Sequence, residues 1–125
     1  MHERCGLLLA IAVVFCTTAI ADNQIVMRGL GASSCAEFGI HYKKNAKLAH
    51  LVYGEWAQGF MSGMNTQLLS DGKPAREIPA QDDVQALQLR QLCDQRPSAT
   101  YFEVVRDFFN TLPELPPKTT DHKGP

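Results

Sequence analysis

The sequence predicts an all-α fold, a small disulfide-clasped bundle of about four helices, and three observations lead there. Apolar residues recur at helical rather than alternating spacing, as in Tyr101, Val104, Val105, Phe108 and Leu112. The boxes Ser34-x-x-Glu37 and Thr100-x-x-Glu103 precede such stretches, and in each a hydroxyl and a glutamate can satisfy orphan helix amides. Two cysteines, Cys35 and Cys93, remain in the chain once its N-terminal segment is set aside.

That segment, residues 1–21, reads as a signal peptide. Arg4 gives a basic start, Gly6 to Ile20 is almost wholly apolar, and Ala19-Ile20-Ala21 has the small-x-small form of a cleavage site. The apolar run is short for a membrane span, and bulky Phe15 before Cys16 does not fit a lipidation site. Cleavage would leave 104 residues, enough for a single helical domain over 22–112 followed by a flexible polar tail over 113–125. It would also remove Cys5 and Cys16. In an oxidising compartment the remaining Cys35 and Cys93 most simply form one disulfide. A periplasmic or secreted location is therefore expected, with no membrane contact after cleavage.

Along the mature chain, Ile25-Val26-Met27 reads as a short extended piece and Gly29-Leu30-Gly31 as a turn. A first helix is expected to start at Cys35 with Phe38 on its inner side, and His41 to Asn45 gives a polar break. A second helix is expected from about Ala46 to Leu69, with Leu48, Val52, Trp56, Phe60 and Met64 near one face. Its glycines are costly, roughly 1 kcal/mol each against alanine. Gly59 and Gly63 stand four apart, so they are expected to form a shallow strip against which another helix packs. Polar Glu55, Gln58, Ser62, Asn65 and Gln67 argue against reading this Gly-x-x-x-Gly as a membrane dimer motif. The predicted packing core is thus Trp56, Gly59, Phe60, Gly63 and Phe108.

Ser70 to Pro74 is turn chemistry, leading into an irregular loop through Pro79. Asp82 and Asp83 mark the start of a third helix, with Val84, Leu87, Leu89, Leu92 and Cys93 as its apolar positions and Pro97 as its stop. Ser98 or Thr100 caps the fourth, whose stripe is flanked by Phe102 and Phe109 and ends at Pro113.

The net charge of −1 offers no basic excess for nucleic acid. His41, His50 and His122 form no metal spacing with the cysteines, and Ser33, Ser34 and Ser62 lack a nucleophile-elbow context. No catalytic, cofactor-binding or metal-binding residue is assigned, and a non-enzymatic protein is expected.

The order Ser34-Cys35-Ala36-Glu37-Phe38, then Tyr53-x-x-Trp56-Ala57-x-Gly59-Phe60-Met61-Ser62-Gly63-x-Asn65, then Leu92-Cys93-x-x-x-Pro97, resembles two kinds of small periplasmic helical protein. One is the Rap/Tai family of immunity proteins, which block peptidoglycan amidase toxins delivered by type VI secretion. The other is the HdeA-like family of acid-stress chaperones. The resemblance spans about Ser33 to Leu112 and implies one disulfide, a homodimer and a protein partner, either an effector enzyme or unfolded clients. This chain departs from the pattern in its basic His41-to-Lys47 connection and its proline-containing tail, so no inhibitory residue is carried over. The immunity reading comes first, the chaperone reading second, and a small-ligand carrier or an enzyme third. A sizeable pocket with convergent polar groups would favour the third.

Overall fold

The computed structural model describes residues 26–80 and 83–117. The signal-type segment 1–21, Ile25, Asp82 and the end of the tail from 118 onward, His122 included, lie outside the described residues. A short 3-10 helix, Gly29–Ala32, leads into four α-helices: α1 (Cys35–Lys44), α2 (Ala46–Ser70), α3 (Asp83–Gln95) and α4 (Tyr101–Thr111). They pack in the cyclic order α1, α2, α4, α3, and the 3-10 helix lies on α2 and α4. The all-α expectation holds.

Both capping boxes form. Glu37 N donates to Ser34 Oγ while Ser34 N donates to the Glu37 carboxylate at 2.7 Å. Thr100 and Glu103 repeat the arrangement, again with a 2.7 Å bond from the cap amide. The two caps also meet each other, because Ser34 and Thr100 form an antiparallel bridge. Cys35 N donates to Ala99 O and Ala36 N to Pro97 O, each at 2.9 Å, and Tyr101 N donates to Ser33 O at 2.8 Å. Amides that a helix start leaves without intrahelical partners are thus satisfied by the neighbouring segment. Beside them Cys35 is bonded to Cys93 with a Cα–Cα separation of 4.9 Å. The starts of α1 and α4 and the last turns of α3 are therefore held at one clasped end.

The core contains Cys35, Phe38, Ala49, Tyr53, Ala57, Met61, Leu89, Cys93, Tyr101, Val104, Val105, Phe108 and Phe109. Its centre is aromatic: the Tyr53 ring lies 4.3 Å from Phe38 and 4.9 Å edge-on from Tyr101. Arg90 closes this cluster from outside, its guanidinium 5.1 Å from the Phe38 ring and 5.6 Å from Tyr42, with Asp94 as its ion partner. Gly39 leaves room for it, since a Cβ there would stand 3.0 Å from Arg90 Nη2.

Two expectations about α2 need correction. Its buried stripe is Ala49, Tyr53, Gly54, Ala57 and Met61, one position round from the predicted one. Leu48 and Val52 are exposed, and Trp56, Phe60 and Met64 are half-buried against the margin of the core. Gly59 and Gly63 face outward, with nothing within 4 Å of an added Cβ at either. They are no packing notch among the described residues. The glycine that close packing does require is Gly31, where a Cβ would lie 2.1 Å from Trp56 Cζ2. In α3, Val84 and Leu87 are likewise exposed, while Gln85, Leu89 and Cys93 are buried.

The beginning of the expected tail is ordered by main-chain pairing. Arg76 and Glu114 form an antiparallel bridge, Glu77 N donates to Pro113 O at 2.8 Å, and Leu115 N donates to Ala75 O at 2.7 Å. Asn65 fixes the other side of this loop, accepting from Arg76 N and donating to Arg76 O. The Arg76 side chain reaches Leu112 O at 2.7 Å.

Candidate functional site

The corner between α1 and α2 lies within the segment His41-to-Lys47, which is unusually basic. Asn45 ends α1 and caps α2, its side chain accepting from Leu48 N at 3.0 Å. The first turn of α2 has no acidic residue, although carboxylates are favoured there by the helix dipole. It carries Lys47 instead, with Lys43 and Lys44 just before it. None of these three lysines is in an ion pair among the described residues.

Beside this corner opens a cleft of about 480 Å³, lined by Leu30, His41, Lys44, Asn45, Leu48, Ala49, Val52 and Tyr53. Leu30 from the 3-10 helix, His41 and Lys44 from α1 and four residues of α2 form its walls. His41 Nδ1 lies 2.9 Å from Tyr53 Oη, joining two of those walls, and the Tyr53 carbonyl accepts from Tyr101 Oη at 3.2 Å. Burial, then the neighbouring Tyr53, pushes the Tyr101 hydroxyl far above its ordinary value, so it is a neutral donor inside the core. The described lining combines apolar Leu30, Leu48, Ala49 and Val52 with one fixed charge, Lys44.

Exposed apolar residues also stand beside the cleft, with Glu55 and Ser62 on the same side of α2. At 100° per residue, Leu48, Leu51, Val52, Gly59 and Gly63 fall within one sector of α2, on the side away from Ala49, Tyr53, Ala57 and Met61. Leu48 and Leu51 are each 53% exposed. Sequence reasoning assigned no partner-binding residue, and it placed Leu48 and Val52 on the same helix face as Trp56 and Phe60. The signal that could have located the site was the basic connection, read earlier only as a departure from a family pattern.

The other predicted residues are distributed as follows. Cys35 and Cys93 are joined at the clasped end, and Phe108 is buried on α4. Trp56 stacks on Phe60 with centroids 5.2 Å apart, and Phe60 meets Phe102 edge-on. No group of three or more His, Cys, Asp or Glu side chains suited to a metal occurs among the described residues. No helix among them is long and apolar enough to cross a membrane. The chain matches no protein-family model, no curated protein and no solved structure.

Proposed function

We propose that this chain is a secreted, non-enzymatic protein-binding factor, of the kind that inhibits a peptidoglycan amidase. The observation that carries the reading is the outer face of α2, where Leu48 and Val52 are exposed although both are apolar. Exposed apolar side chains grouped at the start of one helix favour burial against another protein. The disulfide fits an oxidising compartment. Purified chain should co-purify with a cell-wall amidase and inhibit it at neutral pH, and Val52→Glu should weaken both effects. Failure to bind or inhibit any cell-envelope hydrolase removes the reading.

A second reading, an acid-activated holdase, is favoured by a different observation. Both capping boxes and the Asp107 ion pairs need ionised carboxylates. Acid neutralises them while Lys and Arg stay charged, which would loosen the bundle and bare its aromatic core. It requires a dimer that dissociates near pH 2 to 3 and a released chain that suppresses client aggregation. A dimer that stays intact and inert there excludes it.

A further inference from the structure

We propose that the α1–α2 corner cleft is a binding site for a small anionic amphiphile, a medium-chain carboxylate being the simplest case. This goes beyond the protein-binding reading and requires no protein partner.

Volume, wall chemistry and charge sign agree. At about 480 Å³ the cleft falls within the range of small-molecule sites, roughly 300–1,000 Å³. Such sites combine an apolar lining with a few placed polar groups. Here Leu30, Leu48, Ala49 and Val52 supply the lining. The charge stands at one end: Lys44 and Asn45 are at the helix corner and Val52 lies about two turns further along α2, while the other two polar side chains of the lining, His41 and Tyr53, are hydrogen-bonded to each other. A ligand with one charged end and one apolar chain matches that polarity along its length.

The charge at the corner is positive from several sources. Lys44 lines the cleft, Lys43 and Lys47 are close in sequence but outside its lining, and the start of a 25-residue helix adds its dipole with no acidic side chain in its first turn. Among the described residues no Asp or Glu lines the cleft. A carboxylate at the corner would therefore supply the negative charge that the first turn lacks. The wall opposite is preformed, because the His41–Tyr53 hydrogen bond fixes both side chains. The larger hollow between the end of α2 and Pro113–Pro117, about 1080 Å³, has no such sign, since Lys73 and Glu114 both line it.

The test is calorimetric titration of the oxidised full chain with laurate and, separately, dodecyltrimethylammonium, both below micelle formation. Laurate should bind saturably at one site. The cationic amphiphile should bind at least about tenfold more weakly, the difference expected from one charge-assisted hydrogen bond. Lys44→Glu should remove that preference, and Val52→Glu should abolish laurate uptake while the circular dichroism spectrum and melting temperature stay at wild-type values. Equal affinity for the two head charges would mean hydrophobic adsorption and overturn the proposal. So would uptake that is indifferent to both substitutions, uptake only when laurate is presented in vesicles, or no saturable uptake. Amidase inhibition needs no amphiphile, so either reading can fail alone.

Discussion

The two faces of α2 differ in what surrounds them, and side-chain size does not tell them apart: each mixes large residues with small ones. The inner face presents Ala49, Tyr53, Gly54, Ala57 and Met61 to its neighbours; the outer face presents Leu48, Leu51 and Val52 and then the open Gly59 and Gly63. Small residues inside let α1 and α4 approach closely around Tyr53 and Tyr101, whose ring centroids are 4.9 Å apart. Large apolar residues outside add nothing to that contact. Burial on a helix is thus set by which side its neighbours occupy, and side-chain size alone gives the wrong phase.

The contrast can be broken first at its most buried point. Met61→Ala on the inner face removes a fully covered side chain and should cost about 2–5 kcal/mol by urea unfolding; a loss below about 0.5 kcal/mol would place Met61 on the surface. Next in size is Gly31→Ala, which drives a methyl into the Trp56 ring and should cost about 1–3 kcal/mol. A shift in tryptophan fluorescence should accompany it.

Acid sharpens the comparison at the clasped end. Hydrogen bonds from Ser34 and Thr100, backbone first and then side chain, hold the Glu37 and Glu103 carboxyls below their ordinary value, and those from Arg96 and then Arg106 do the same for Asp107. Depressed values mean that these groups favour the folded state above about pH 4, the range of the unfolded carboxyl. That contribution is lost as pH falls through the lower folded values. The unfolding midpoint should therefore drop below about pH 4, and less so in a Glu37→Gln, Glu103→Gln double variant.

The smallest effect has the opposite sign. Gly59→Ala and Gly63→Ala meet open space and should each stabilise the chain, by up to about 1 kcal/mol. Destabilisation at either would show that the outer face is packed.

Local chemistry was legible in the sequence. Ser34 with Glu37 and Thr100 with Glu103 announce both helix starts, because a capping box involves residues only three apart. The Cys35–Cys93 pairing followed from the expected removal of residues 1–21, which would leave no other pair. What escaped depends on partners distant in the chain. Gly31 read as a turn because nothing nearby reveals that Trp56 lies over it. The phase of α2 was read from its largest residues. Pro113 to Pro117 read as tail because its tie to Ala75, Arg76 and Glu77 spans more than thirty-five positions. The cleft escaped for the same reason, since Leu30 meets α1 and α2 only after folding.

A matched pair of charges tests the account most directly: thermal unfolding of Ala57→Glu beside Val52→Glu. Ala57 is fully buried, so a carboxylate there should cost several kcal/mol or prevent folding, whereas Val52→Glu should stay within about 0.5 kcal/mol of the parent. A Val52→Glu chain that melts as early as Ala57→Glu would show that α2 turns its other side to the core.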